Sequence, residues 1–467
     1  MYVRFFNPQL KTIEQKQTYR IHITGLVQGV GFRPFVYRLA AAQGLTGYVS
    51  NGNDGVHIQI NSSEETAHLF YQSIIEQAPP LACITQHAMV QVADECYTHF
   101  TIEESNASAA INLMLTPDYA LCDSCRSELA DITNRRYQYP FITCTHCGPR
   151  YSVISQLPYD REHTSMKNFT LCPACHEEYD NPAGNRHYAQ TASCSDCGIR
   201  LAMFDNRGVV IANDNNTIIE KINAALQCGS IVAVKGIGGY LLLCDAANET
   251  AILELRKRKH RPKKPFALLY PSVEAVRNDF KLSATEEEAL QSIVSPIILL
   301  QQKEPSAAIC CEAIAPGLTQ MGVMLPYAPL LQLIAEAFQL PLLATSGNVS
   351  DSPIVYEDEE ALAHISAIAD FVVTHNREIV VPQDDSVVKY TTLHQQRIIL
   401  RRSRGMAPSY LHYTAKKSES ILAAGALLKS SFTFTANGNT YVSQYLGNTD
   451  GYEAQEAYKE TVQHFMR

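Results

Sequence analysis

CDSCRSELADITNRRYQYPFITCTHC (residues 122–147) and CPACHEEYDNPAGNRHYAQTASCSDC (residues 172–197) are two copies of one pattern, C-x2-C-x18-C-x2-C, set 24 residues apart. Two cysteines three residues apart can bind one side of a tetrahedral ion, and a second such pair completes the shell. The doubled pattern therefore specifies two Zn(Cys)4 sites built from Cys122, Cys125, Cys144, Cys147, Cys172, Cys175, Cys194 and Cys197. The equal inner gaps favour sequential pairing, one ion per copy; an interleaved pairing would use the same eight thiolates. Four thiolates leave no position open for water, so the expected role of the zinc is structural, and His146, His176 and His187 stay outside the shells. Arg126, Arg150 and Arg200, each within three residues of a ligand, either offset the dianionic Zn(Cys)4 charge or face solvent.

The rest of the chain reads differently on either side. Its 467 residues exceed what one core supports, which predicts three or four domains. A formal net charge of −9 gives no overall basic field, so nucleic acid and anionic membranes are disfavoured as partners. The opening MYVRFFNPQLKTIEQKQ has no apolar run of the signal-peptide kind, and the most apolar stretch (325–345) is interrupted by Pro326, Pro329, Glu336 and Pro341. The expectation is a soluble cytoplasmic protein without a membrane partner. Cysteines spaced as metal ligands suit a reducing compartment.

Ahead of the cysteines, Tyr19, Ile21 and Ile23 alternate with Arg20, His22 and Thr24, as in a half-buried strand. A helix follows, with Pro34 at its first position, Phe35, Val36, Leu39 and Ala40 at helical spacing, and Gly44 at its end. Next come a short strand near Val49, the turn NGNDG (51–55) and a strand through Val56, Ile58 and Ile60. Ser62 and Glu65 read as a capping box for a second helix, and residues 85–103 as a last extended segment. The order β-α-β-β-α-β predicts a ferredoxin-like domain. Between its first strand and helix lies GLVQGVGFRP (25–34), whose glycines let backbone N–H groups curl around an anion beside the charged fork of Arg33.

Behind the cysteines, apolar β-like runs (231–234, 297–300, 342–345, 371–373, 398–400) alternate with helical stretches, which predicts an α/β domain. Four clusters in it carry functional residue types. KGIGGY (235–240) places Lys235 and three glycines directly after a strand. LRKRKHRPKKPFALL (255–269) is the densest basic cluster, read as either a solvated helix end or a nucleic-acid patch. TSGN (345–348) sits at a strand end, where α/β sheets commonly bind ligands. Asp384 and Asp385 in QDDSVV (383–388) either serve a metal or cap a turn.

Several of these strings resemble known families. GLVQGVGFR followed by YVSNGNDGV (48–56) resembles the acylphosphatases over residues 17–105, which implies phosphoryl binding by Arg33 and the loop amides, with Asn51 orienting the attacking water. CTHCGPRYS (144–152), YDREHTSM (159–166) and EYDNPAGNRHYAQTASCSDCG (178–198) resemble the zinc region of the hydrogenase maturation carbamoyltransferases, the HypF family, which also carry an acylphosphatase domain. The clusters after residue 213 resemble the YrdC-type fold. That implies ATP use, with Lys259 and Arg261 clamping phosphates, Ser346 and Asn348 holding nucleotide and acyl-adenylate, and Lys235, Arg402 and Arg404 (in RRSRGMAP, 401–408) as further contacts.

Residues 421–451 read as a strand, a turn and a hairpin through NGN. They look like the opening of that family's carbamoyl-transferase domain, an actin-like ATPase-type fold, shortened here by the end of the sequence at Arg467. Two departures stand out: Leu241 and Tyr445 occupy positions where the family usually has histidine. The expected organisation is a leader (1–16), an acylphosphatase-like domain (17–105), a double zinc domain (106–212), a YrdC-like domain (213–412) and the start of a transferase domain (413–467). The resemblance implies carbamoyl phosphate and ATP as substrates, Mg²⁺ carried with ATP, two structural Zn²⁺ ions, carbamoyl transfer to the C-terminal cysteine of a HypE-type partner, and room for a homodimer. A zinc-dependent RNA-binding or assembly module is the rival reading.

Overall fold

The structure is a computed structural model that describes residues 16–106, 112–304, 306–348, 352–410 and 419–466. The expected leader lies outside the described residues except for Lys16. The chain divides into two compact units, Met1–Leu113 and Met114–Arg467.

The first unit runs β1 (Gln17–Leu26), α1 (Phe32–Ala42), β2 (Thr46–Gly52), β3 (Gly55–Ser62), α2 (Glu64–Glu76), β4 (Cys83–Val92) and β5 (Phe100–Ile102). The sheet order is β4-β1-β3-β2-β5, with β5 parallel to β2. This is the ferredoxin-like order, the expected last segment having become two strands. Alternation puts Tyr19, Ile21 and Ile23 with Val56, Ile58 and Ile60 in the core, which also buries Val36, Ala40, Phe70 and Ile74 of the two helices. Arg20, His22, His57 and Gln59 fall on the other face.

Two local expectations shift. Helix α1 begins at Phe32 on Gly31, whose φ of 76° a side chain would disfavour, so Pro34 is its third residue. The first four helical N–H groups have no intrahelical partner, so proline costs nothing there. Helix α2 is capped by Ser63, which accepts from Thr66 N; Ser62 ends β3 instead, and no Ser62/Glu65 capping box forms.

The second unit opens with the zinc modules, whose helices α3 (Asp123–Ala130) and α4 (Pro173–Asp180) start from Cys122 and Cys172 at their N-caps. The α/β region follows with β6 (Leu201–Asp205), β7 (Val210–Ala212), α5 (Asn215–Gln227), β8 (Val232–Lys235), β9 (Tyr240–Asp245), α6 (Glu249–Arg258) and β10 (Ala267–Leu269). Next are α7 (Val273–Asp279), β11 (Phe280–Lys281), α8 (Ala284–Gln291), β12 (Ile297–Gln302), α9 (Cys311–Ile314), β13 (Gln320–Met324), α10 (Pro329–Phe338) and β14 (Leu342–Ser346). It closes with α11 (Asp358–His364), β15 (Phe371–His375), β16 (Val387–Tyr390) and β17 (Arg397–Arg401). One mixed sheet orders these strands β17-β16-β12-β13-β10-β14-β9-β8-β15-β6-β7, with β11 paired to β12.

Strands β6 and β7, assigned above to the zinc domain, form the edge of this sheet through the β6–β15 pairing. The modules are tied to it elsewhere as well. Ala120 N donates to Ile293 O (2.7 Å), Leu121 N to Tyr327 O (2.9 Å), and Gln383 Nε2 to the buried Asp118 carboxylate (2.6 Å). Leu121, Phe141 and Ile142 share one apolar core with Ile222, Leu331 and Val373. Physically, the zinc modules and the α/β sheet are one body.

The last segment forms a small sheet of β18 (Ser409–Tyr410), β19 (Ile421–Ala423), β20 (Thr433–Ala436) and β21 (Asn439–Val442), ordered β18-β21-β20-β19, followed by α12 (Tyr452–Met466). Phe465 packs edge-on against Phe432 and Tyr441. The expected domain boundary near residue 413 lies outside the described residues.

Candidate active sites and zinc centres

In the first unit the β1–α1 loop wraps the start of α1, with Gly25, Gly29 and Gly31 all at positive φ. A Cβ on Gly25 would stand 2.1 Å from Cys83 O, so only glycine lets β1 turn out beside β4 there. Arg33 is 7% exposed. With the Asn51 amide oriented so that its oxygen faces the guanidinium, Asn51 accepts from Arg33 Nε (3.1 Å) and Nη2 (3.2 Å), while Arg33 Nη1 donates to Ser105 Oγ (3.4 Å). Gln28 Nε2 donates to Gly52 O (2.8 Å) and Gly55 O (3.2 Å), fastening the loop to the β2–β3 hairpin that carries Asn51. A planar cation and an amide are thereby held together at the start of α1, a pairing of groups suited to a phosphoryl group and a water.

The cysteines of the second unit collect into Cys122/125/144/147 and Cys172/175/194/197, settling the pairing as sequential. Sulfur–sulfur contacts measure 3.6 and 3.7 Å in the first group and 3.7 to 3.8 Å in the second. A tetrahedron with ~2.3 Å Zn–S bonds has edges of about 3.8 Å, so the eight thiols fit two zinc ions. His146, His176 and His187 belong to neither group.

The charge around the sulfurs comes from residues the sequence reading passed over. Arg135 Nη2 reaches Cys172 (3.4 Å), Cys175 (3.3 Å) and Cys194 (3.1 Å), and Arg136 Nη2 reaches Cys175 (3.4 Å). Conversely, Arg186 Nη2 stands 3.9 Å from Cys125. Each module thus lends arginine to the other's thiolates, and the exchange is matched in carboxylates: Arg136 pairs with Glu178 (2.6 Å) and Arg186 with Glu128 (2.7 Å). Arg136 and Arg186, like Glu128 and Glu178, are equivalent positions of the 26-residue repeat, so aligning the two copies was the signal that could have found them. Of the arginines proposed from sequence, Arg150 is buried and donates to the carbonyls of Cys144, Thr145, Cys147 and Pro149. Arg126 turns to Gln332.

The α/β sheet carries the second site at the C-terminal end of β14. Lys259, fully buried at the end of α6, donates to Ser346 O (2.7 Å), Asn348 Oδ1 (2.8 Å) and Asn348 O; Ser346 Oγ donates to Asn348 Oδ1 (2.8 Å). Burial, with Arg261 and Lys264 adding like charge, pushes the Lys259 ammonium down to about 7. Arg261 reaches Thr345 Oγ1 (3.2 Å) and Pro265 O, and stacks over Phe266 at 4.9 Å.

Two adjoining cavities of about 260 and 200 Å³ share Arg261, Lys264, Ser346, Asp384 and Arg401 in their walls. The larger is floored by apolar residues including Leu241, which stands opposite Ser346 in the β9–β14 ladder. The smaller adds Asn348, Tyr445 and His464. Both family-departing residues, Leu241 and Tyr445, therefore line this cleft. Asp384 pairs with Arg401 and its Oδ1 accepts from Asp385 N (2.8 Å), so it is a cleft carboxylate and a local cap at once.

Three residues expected here lie elsewhere. Lys235 is buried at the end of β8, pairs with Asp358 (2.6 Å) and lines a separate cavity with Phe141, Cys147, His375 and Arg377. The KGIGGY glycines permit packing rather than phosphate approach: a Cβ on Gly238 would meet Gln383 O at 2.4 Å, and one on Gly239 would meet Ile354 Cδ1 at 2.6 Å. Arg404 is 1% exposed and fully engaged within the protein, by Asp385 (2.7 Å), Val294 O (3.0 Å), Ser295 O (2.7 Å) and the face of Tyr327 at 3.5 Å. Arg402 is half-buried and lines neither cavity. Arg401, one residue earlier, is the arginine of this segment that enters the cleft. The basic run 255–269 divides: Arg256 donates to four carbonyls and Arg258 pairs with Asp370 and Glu254, whereas Lys257, His260, Lys263 and Lys264 are exposed.

Family models match along the whole chain: acylphosphatase over residues 19–102, HypF finger over 121–154 and 171–204, telomere recombination (Sua5, YciO, YrdC) over 224–403, and HypF Kae1-like domain over 416–467. Carbamoyltransferase HypF of Synechocystis is 43% identical over 451 residues, covering 97% of this chain and 58% of its own length. The chain belongs to the HypF carbamoyltransferase family.

The probable carbamoyltransferase HypF of Methanocaldococcus jannaschii is 38% identical, covering 100% of this chain and 59% of that protein. Among solved structures, a crystal structure of full-length HypF in the phosphate- and nucleotide-bound form superposes with TM-score 0.91 at 38% identity, covering 98% of this chain and 59% of the other. HypF of T. kodakarensis gives 0.87 at 40% identity, covering 96% and 57%. The chain thus spans a little under three fifths of the length of these HypF relatives. No described helix is long and apolar enough to cross a membrane.

Proposed function

We propose that the chain performs two consecutive reactions of carbamoyl activation. At Arg33 and Asn51, carbamoyl phosphate is hydrolysed. Water held by Asn51 forms the new P–O bond, the bond between phosphorus and the carbamoyl oxygen breaks, and carbamate and phosphate leave. Arg33 and the loop amides offset charge on the equatorial oxygens. In the cleft of the second unit, a carbamate oxygen attacks the α-phosphorus of ATP, giving carbamoyl-adenylate and pyrophosphate. Lys259, Arg261, Lys264 and Arg401 supply positive charge where it develops on the leaving pyrophosphate, and Ser346 and Asn348 hold the nucleotide and acyl-adenylate. Mg²⁺ would enter with ATP, and Asp384, which lines both cavities, would be the carboxylate to meet it. In the longer relatives' arrangement the carbamoyl group would pass on to the C-terminal cysteine of a HypE-type protein.

The observation that carries this reading is the presence of Arg261, Lys264 and Arg401 with Ser346 in the walls of two joined cavities at one strand end, where the buried Lys259 ammonium stands 2.7 Å from Ser346 O. The RNA-binding reading has less support, because Arg256, Arg258 and Lys259 of the basic run are engaged within the protein and leave Lys257, Lys263 and Lys264 as its exposed cations. Carbamoyl-phosphate-dependent ATP–pyrophosphate exchange tests the proposal: exchange is expected in zinc-loaded protein and should vanish in Arg33→Ala. Exchange that persists in Arg33→Ala would separate the two sites and overturn the coupled scheme.

A further inference from the structure

We propose that His22, His57 and Asp54 form a third metal site, for a first-row divalent cation of the zinc, cobalt and nickel class, on the open sheet face of the first unit. His22 and His57 are direct cross-strand partners on β1 and β3. Their rings stack at 4.4 Å with an 11° interplanar angle, which keeps both imidazoles together over the β2–β3 turn. Asp54 of that turn completes the set: its Oδ1 is 2.7 Å from His57 Nε2 and its Oδ2 3.5 Å from His22 Nε2. All three donor atoms lie within 4.8 Å of one another. Two imidazoles and a carboxylate are a donor set for zinc and its neighbours, with donor–donor distances near 3.4 Å in a tetrahedral shell. An ion there replaces the hydrogen bonds that these nitrogens now make with Asp54, His57 Nε2 with its Oδ1 (2.7 Å) and His22 Nε2 with its backbone carbonyl (3.1 Å).

The turn itself keeps the donors clear. A Cβ on Gly52 would lie 2.8 Å from both Asp54 Oδ1 and His57 Nε2, and one on Gly55 would lie 3.2 Å from His22 Nε2. The two glycines of NGNDG therefore leave open the volume into which the nitrogens point. The side chains of His22, Asp54 and His57 are 34%, 25% and 29% exposed, so an ion can enter and keep water in its remaining position. Asp54 is three residues from Asn51 on the same hairpin, and a bound ion would pin that hairpin from the face opposite the core.

The test is a calorimetric titration of ZnCl₂ into protein already carrying two zinc ions per chain, with metal content measured after desalting. A third equivalent is expected in the wild type and in no H22Q/H57Q protein, which should retain two zinc ions and its circular dichroism spectrum; D54N should bind the third ion at least tenfold more weakly. Co²⁺ given to the two-zinc protein should add weak visible bands without thiolate charge-transfer absorption. Absence of a third equivalent, its survival in H22Q/H57Q, or thiolate bands with Co²⁺ would each overturn the site.

Discussion

Arg404→Met separates two roles that the RRSR segment allows. As a phosphate contact, Arg404 would be dispensable for folding and required for ATP. Its surroundings assign it the reverse. The guanidinium meets the carboxylate of Asp385, itself 5% exposed, at 2.7 Å and holds two carbonyls of the Val294–Ser295 turn. Removing one partner of a buried ion pair leaves the other charge desolvated and uncompensated, which costs about 3–5 kcal/mol. The second unit has about 350 residues, and unfolding entropy near 2.1 cal/mol/K per residue gives about 0.7 kcal/mol per degree, so the transition should fall by about 4–7 °C. The double variant R404M/D385L removes both charges and should recover most of that loss, because an apolar pair of similar volume is close to neutral in such a place. Differential scanning calorimetry reads the transitions, and ATP titration well below them should show affinity within about threefold of wild type. An unchanged transition in R404M combined with lost ATP binding would refute the reasoning.

Lys259 should make nucleotide binding proton-linked. Its folded pKa of about 7 lies below the ordinary lysine value, so its contribution destabilises the fold as pH falls from 10.5 towards 7. Phosphates restore the ammonium, so binding should take up about 0.9 proton at pH 8 and about 0.1 at pH 6, read by calorimetry in buffers of different ionisation enthalpy. Asn51→Ala should slow carbamoyl phosphate hydrolysis by about 10²–10³-fold in a phosphate-release assay, with ATP binding untouched. Arg136→Met should weaken zinc at the Cys172 site about 10–100-fold in competition with a chromophoric chelator, leaving the Cys122 site nearer to wild type. Zinc chelation should lower the melting transition of the second unit and abolish exchange while acylphosphatase turnover persists, because the first unit has its own core.

What could be read in advance was what depends on spacing. Cysteines at i and i+3 report their chemistry without knowledge of the fold, and the alternation in residues 19–25 or 56–60 reports which face of a strand is buried. The glycine loop of GLVQGVGFRP was readable for the same reason, since its positive-φ glycines are local requirements. What depends on tertiary approach was not. Lys235 follows a strand as a phosphate-binding lysine would, yet β8 is an interior strand and its end is covered, so the ammonium finds Asp358. In RRSRGMAP three near-neighbouring arginines differ only in direction: Arg401 at the end of β17 turns to Asp384, and Arg404 turns inward to Asp385. Nothing in the string distinguishes those fates, because the partners are more than ten residues away, in the segment that leads into β16.

The crossed arginines change what the zinc modules mean for the two reactions. A Zn(Cys)4 centre carries two net negative charges, and most of the side-chain N–H groups facing the Cys172 cluster come from Arg135 and Arg136 of the other repeat. Arg186 returns the favour through Glu128 and Cys125. Neither module is electrostatically complete alone, so the 24-residue linker joins halves of one object, and loss of either ion should loosen both. That object is in turn continuous with the sheet that carries the cleft: Asp118 accepts from Arg150 N and Ser152 within the module and from Gln383 beside Asp384. Hydrogen bonds through the buried Arg150, Asp118 and Gln383 therefore lead from the carbonyls of Cys144 and Cys147 to the chain neighbour of Asp384, which is why zinc removal should register in the proposed adenylation although no zinc ligand lines that cleft.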